Sequence, residues 1–151
     1  MEKEQEKKGG TIVSVNTSLR KGRKKHGIGT CILKTDYGME GDAHAGMEIR
    51  QVSLLAQESI DKIRAMGIEV GPGDFAENLT TKGLVLHELS LGTRFRVGEA
   101  VLLELTQIGK ICHDRCAIFK TVGDCVMPRE GVFVRVIAGG EVKAGDNIEI
   151  I

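Results

Sequence analysis

The chain has 151 residues, the size of one ordinary domain, with 41% hydrophobic and 28% charged residues. Twenty-one basic residues balance twenty-one acidic ones, only 3% are aromatic and there is no Trp. This excludes both the whole-protein basic field and the base-stacking platform that nucleic-acid binders use, so no nucleic-acid partner is expected. No apolar run reaches the roughly 18 residues needed to span a bilayer, and the charged N-terminus has no apolar signal core, so no membrane partner and a cytoplasmic location are expected.

Residues 1–10, MEKEQEKKGG, are polar and low in complexity and are expected to form a disordered tail ahead of a single domain over 11–151. Residues 11–18 read as a strand. Five basic residues then fall within 20–25 and read as a solvated hairpin loop or, alternatively, as a rim that attracts anions. Residues 30–35 predict a second short strand. The stretch 38–50, GMEGDAHAGMEIR, has no apolar period and reads as a loop carrying Asp42, His44 and Arg50.

A short apolar run over 51–56 leads into a predicted helix over 57–66, with Ile60, Ile63 and Met66 on one face and Gly67 as its stop. Gly71, Pro72 and Gly73 make a turn, behind which Asp74, Glu77 and Asn78 cluster. Residues 84–91 are leucine-rich without a clear period. Residues 93–97 and 100–108 predict strands, followed by 132–137, a turn at Gly139 and Gly140, and a last strand at 147–150. Some seven or more short strands with one clear helix predict a mostly β fold, a compact β-barrel.

The chemistry concentrates in residues 109–131, GKICHDRCAIFKTVGDCVMPREG, which hold three of the four cysteines. In a cytoplasm these read as thiols before disulfides. Cys112 and Cys116 flank His113, Asp114 and Arg115, with Cys125 further on and Lys110 and Arg129 close in sequence. A thiol acts as a nucleophile or soft-metal ligand as thiolate, and adjacent Arg and His stabilise that anion. A functional thiolate at Cys112 or Cys116 is therefore one reading. A zinc site is another, although the single C-x3-C pair departs from paired knuckles. A cysteine hydrolase would need His44 or His113 within reach of the thiol. Cys31, inside an apolar strand, reads as an inert core thiol. His26 and His87 read as surface or satisfied residues. Arg50 suits a phosphate or carboxylate, and Asn78 offers both donor and acceptor. Asp42, Asp74 and Glu77 suit turn capping equally well.

Four segments in order, GDAHAGMEIRQVSLLA, GDFAENLTTKGL, LGTRFRVGEAVLLELTQIGKICHDRC and GDCVMPREGVFVRVIAGGEVKAGD, resemble the MOSC domain over roughly residues 11–150. This domain occurs at the C-terminus of molybdenum cofactor sulfurases and as small stand-alone bacterial proteins. The resemblance implies a barrel-cored β fold and a role in molybdenum cofactor chemistry or in sulfur delivery to metal–sulfur centres. It implies a cysteine that carries sulfur as a persulfide, or that ligates molybdenum in the reductase relatives. The Arg-Cys pair of those relatives matches Arg115-Cys116 best, with Cys112 second and Cys125 third. His113 and Arg115 would assist the thiol, and Asp42, His44, Arg50, Asn78 and Arg129 would meet molybdopterin. The chain lacks the pyridoxal phosphate domain of the sulfurases, so sulfur is expected from a separate donor such as a cysteine desulfurase. The alternatives are a molybdopterin-binding protein with Cys116 on the metal, and a non-catalytic barrel that binds an anion or a protein.

Overall fold

The computed structural model describes residues 9–17, 26–42, 45–46, 50–75, 77–109 and 130–151. These form strands β1 (Gly9–Thr17), β2 (His26–Gly27), β3 (Thr30–Lys34), β4 (Gly38–Met39), β5 (Val52–Ala56), β6 (Leu79–Lys82), β7 (Arg94–Val97), β8 (Val101–Ile108), β9 (Val132–Ala138), β10 (Gly140–Lys143) and β11 (Asn147–Ile150). One helix, α1 (Gln57–Arg64), follows β5, and a 3-10 turn covers Leu86–Glu88.

Seven strands close a barrel in the order β11-β7-β8-β9-β5-β6-β1, with β1 returning to pair with β11. The predicted β-barrel is therefore the observed architecture. Register shifts between Ile12 and Ser14, and twice along β8–β9, mark the irregularities that help a short sheet curl into closure. A second sheet, β10-β3-β4, packs beside the barrel, and β2 extends β1 as an antiparallel partner. The basic stretch 20–25 thus joins two paired strands, and its own placement lies outside the described residues.

Each strand follows its sequence pattern. In β8, Val101, Leu103 and Leu105 turn into the barrel while the intervening residues are half-buried. In β3, Cys31 and Leu33 face inward and Thr30, Ile32 and Lys34 face out. β5 is buried along its whole length because both of its faces are covered. Val52, Leu54 and Ala56 join the barrel core, whereas Leu55 packs with Ile60, Ile63, Val70, Phe75 and Phe133 in a second cluster under α1. β5 and β6 are parallel neighbours, which requires a crossover, and α1 supplies it. Burying Ile60 and Ile63 contributes about 1.5–3 kcal/mol each, and Glu58 in the first turn with Lys62 and Arg64 in the last suit the helix dipole.

Four local expectations are corrected. The predicted tail residues Gly9 and Gly10 belong to β1 and pair with Glu149 and Ile148. A side chain at Gly10 would sit 2.0 Å from the carbonyl oxygen of Lys82, so glycine here permits close approach of β1 and the end of β6. The helix ends at Arg64, two residues early, and leaves Met66 64% exposed. Residues 79–82, for which the sequence predicts no strand, form β6. Gly140, read as a turn residue, starts β10. Among the described residues no helix is long and apolar enough to cross a membrane.

Candidate functional site

Cys112, His113, Arg115, Cys116, Cys125 and Arg129 lie outside the described residues, as does His44. Both ends of the cysteine-bearing segment are described. β8 ends at Ile108, which pairs with Val132 at the start of β9. One residue further out, the Gly109 N–H donates to the Gly131 carbonyl at 2.6 Å. Gly109 has φ +67, the left-handed conformation that lets the chain leave the strand without a Cβ clash. The segment between them thus begins and ends at one closed neck on the barrel.

Glu130 borders that neck. Its carboxylate accepts the Ser59 hydroxyl at 2.5 Å through Oε1 and the Lys62 ammonium at 2.8 Å through Oε2. Ser59 and Lys62 sit three residues apart on α1 and so share a face of the helix. Burial alone would raise the Glu130 carboxyl. The hydrogen bonds from Lys62 and Ser59, with the charges of Lys62 and His87, outweigh it and hold the group below the usual carboxylate range. A cavity of about 240 Å³ opens here between α1 and residues 83–87, lined in part by Ser59, Lys62, Leu84, His87 and Glu130. A wider, shallow hollow of about 570 Å³ lies against Arg64, Gly67, Glu69 and Asp74, and its lining includes no residue of the neck.

Arg50 is half-buried, with its guanidinium carbon 5.7 Å from the centroid of the Phe133 ring. Phe133 is the second residue of β9, so Arg50 stands close to where the cysteine segment rejoins the barrel. A guanidinium has the charge and donors that suit an anion.

Asp42 and Asn78 go elsewhere, into a buried polar layer across β1, β5 and β6. Asn78 is completely buried. Its Oδ1 accepts the Ser53 backbone N–H at 2.9 Å and the Ser53 hydroxyl at 3.2 Å, and its Nδ2 donates to the Asn16 carbonyl at 3.3 Å and to Met39 Sδ at 3.9 Å. With every polar atom of its side chain engaged, Asn78 stitches three strands together. Asn16, also fully buried, donates from Nδ2 to the Glu77 carbonyl and to Thr80 Oγ1. Asp42 is 7% exposed and accepts the Thr17 hydroxyl at 3.0 Å.

Glu77 is the member of this layer that the turn-cluster reading leaves unexplained. It is fully buried, and its Oε2 accepts the Gly73 N–H at 2.8 Å and the Thr80 hydroxyl at 2.7 Å, while Oε1 has no partner among the described residues. Burial pushes this carboxyl up to about 7 against the opposing pull of those donors. The Thr81 hydroxyl, in β6, is likewise buried without a partner among the described residues. Asp74 caps its own turn by accepting the Gly71 N–H.

Cys31 is a buried free thiol in β3. Burial, with the nearby negative charge of Asp42, pushes it up to about 12, so it stays protonated near neutral pH. Among the described residues no group of three or more His, Cys, Asp or Glu is arranged to hold a metal.

The described residues define a closed seven-stranded β-barrel in which β8 and β9, the strands on either side of the three-cysteine sequence, are adjacent. Residues 41–149, well over half of the chain, match the MOSC domain, and the chain belongs to that family. Solved structures share the fold. The YuaD protein from Bacillus subtilis is 17% identical with a TM-score of 0.80, over 94% of this chain and 95% of that one. YiiM from Escherichia coli is 25% identical with a TM-score of 0.67, over 94% and 69% of the two chains. YiiM from Geobacillus stearothermophilus is 19% identical with a TM-score of 0.69, over 94% and 75%. No curated protein matches the chain.

Proposed function

We propose that this protein is a cytoplasmic sulfur carrier that accepts sulfane sulfur on a cysteine and delivers it to molybdenum cofactor or another metal–sulfur centre. Membership of the MOSC family supports a role in molybdenum cofactor biology. The observation that carries the assignment to a thiol is the state of Cys31. It is buried and held protonated, which leaves Cys112, Cys116 and Cys125 as the thiols available for exchange. Cys116, beside Arg115, is the lead, with Cys112 next and Cys125 third.

In this reading Arg115 stabilises the Cys116 thiolate and His113 takes its proton. The thiolate attacks the terminal sulfur of a donor persulfide, such as that of a cysteine desulfurase. The donor's S–S bond breaks, the donor leaves as a thiolate, and a Cys116 persulfide forms. One S–S bond is exchanged for another with no external oxidant or reductant.

Molybdopterin enters here as the acceptor. Of the candidate pterin contacts that are described, Asn78 is buried with its side chain fully engaged and Asp42 is a buried anion, unsuited to a phosphate. Arg50 alone of these three offers cationic donors near the cysteine segment. The described residues therefore do not make a complete pterin cradle, and no step is routed through one. Arg50 is what favours the second reading, a molybdopterin-binding protein with Cys116 on the metal.

The test is a transfer assay with a cysteine desulfurase, free cysteine and a desulfo molybdoenzyme as acceptor. Cys116→Ala should abolish transfer while Cys31→Ala leaves it intact. Unchanged transfer in Cys116→Ala would move the site to Cys112 or Cys125. Molybdenum and a pterin fluorophore copurifying with a protein inactive in transfer would favour the second reading.

A further inference from the structure

The crossover from α1 to β6 passes over a carboxyl that is completely buried, that of Glu77. Val70 and Phe75 anchor the crossover in the apolar cluster under α1. Between these anchors residues 71–74 form a turn closed on itself. The Gly71 N–H donates to Asp74 Oδ2 at 2.9 Å, and the Asp74 N–H donates to the Gly71 carbonyl at 3.1 Å. Gly73, at φ +88, takes the left-handed conformation that glycine allows. Among the described residues a single hydrogen bond ties this turn to the rest of the protein, from the Gly73 N–H to Glu77 Oε2 at 2.8 Å. Glu77 is held in turn by the barrel. Thr80 donates to the same oxygen at 2.7 Å, and Asn16 of β1 donates to the Glu77 carbonyl at 3.2 Å.

Among the described residues no cation acts on this carboxyl. From β1 stand Asn16 and Ser14, from β6 Thr80, and from β5 Ser53 by way of Asn78, all neutral. On the turn, Asp74 is bonded to Gly71, and Asp42, bonded to Thr17, is the next acid of the layer. Glu77 Oε2 already accepts two donors, so a proton belongs on Oε1, which has no partner among the described residues. A neutral carboxyl can stay buried there, whereas an ionised one without a cation is pulled toward water. Ionisation strengthens the Gly73 and Thr80 bonds, but burial outweighs them and keeps the group protonated up to about 7. Water reaches the carboxyl most easily past the turn, which one bond holds down, and not through the barrel strands.

We infer that Glu77 is a proton-operated latch: protonated, it seats the 71–74 turn on the barrel, and ionised, it releases the turn so that water reaches its carboxylate. The shallow hollow against Arg64, Gly67, Glu69 and Asp74 is walled by this turn and changes shape with it. The latch operates whether or not the protein carries sulfur.

The experiment is amide hydrogen exchange of the full-length protein, read residue by residue by NMR from pH 5 to pH 8. Each rate is divided by that of the same amide in an unstructured peptide, which removes the intrinsic effect of pH and leaves a protection factor. Ionisation favours the open turn wherever the open carboxyl is ionised and the buried one is not. Protection at Gly73 should therefore fall about tenfold or more between pH 5 and pH 7 and level off above that. It should stay below that of the β8 amides throughout, since the turn opens without the barrel. In Glu77→Gln the Gly73 protection should be flat with pH. If that variant folds poorly, Asp74→Asn decides instead: the pH dependence must survive the loss of the turn's own acid. Gly73 protection that is flat in wild type, or that keeps its slope in Glu77→Gln or loses it in Asp74→Asn, would overturn the latch. So would equal protection of Gly73 and β8 at every pH, which would mean that only whole-molecule unfolding exposes Glu77.

Discussion

Glu77 and Glu130 are two carboxylates that this fold treats in opposite ways, and the regions around them differ accordingly. Glu77 lies in a layer of buried polar groups, with two neutral donors on one oxygen and none on the other. Burial wins there, and the group holds its proton up to about 7. Glu130 is partly shielded but meets an ammonium and a hydroxyl, and hydrogen bonding wins. The neutral donors on Glu77 favour its charged form but less than burial opposes it, whereas Glu130 has the full charge of Lys62 in addition to its hydrogen bonds. The first arrangement joins strands β1, β5 and β6 and serves the fold. The second ties Glu130, two residues before β9, to α1.

The largest break in this contrast should come from the buried layer. Asn78→Ala removes the acceptor for the Ser53 N–H and opens a cavity, and should destabilise the protein by about 3 kcal/mol or more in denaturant unfolding. Retention of wild-type stability would mean that the layer is not a structural unit.

The Glu77 effect is next and depends on pH. In the unfolded chain this carboxyl ionises near its ordinary 4.5, while in the folded protein it keeps its proton to about 7. Between those values the native state holds more protons, so stability falls as pH rises. The contribution is fully present below the unfolded value and is lost through about 7, with a size on the order of 3 kcal/mol. Unfolding midpoints measured from pH 4 to pH 8 should lose this slope in Glu77→Gln. An identical slope in the variant would assign it to another group. Glu130 has the opposite sign: its contribution is present above the ordinary carboxylate range and is lost as pH falls through its depressed value. Glu130→Gln should therefore flatten stability on the acid side.

The smallest effect belongs to Arg50. Arg50→Ala removes the guanidinium from the Phe133 ring and should cost about 0.5–1 kcal/mol in unfolding free energy. A larger loss would show that Arg50 is part of the structural layer and not a free donor beside the segment.

Much of the barrel was legible as alternation. β7, β8 and β11 fall where burial takes turns along the strand, because each has one face in the core. β6 was not legible. Its Leu79, Thr80 and Thr81 are all buried, two of them polar, so no alternation exists to be read. Gly9, Gly10 and Gly140 read as tail or turn because glycine has low strand propensity, and close packing against neighbouring strands overrides that preference. The site divided the same way. The cysteines announce themselves by composition, and Cys31 by its apolar neighbours. The fate of Asn78 depended on Asn16 and Ser53, and that of Glu130 on Ser59 and Lys62. Those partners are distant in sequence and carry no local signal.

The most direct test of the central claim is site-mapped mass spectrometry of all four cysteines after exposure to a cysteine desulfurase and free cysteine. The account predicts one added sulfur on Cys116, or failing that on Cys112 or Cys125, and none on Cys31. Labile sulfur on Cys31, or on no cysteine at all while the desulfurase turns over, would contradict it.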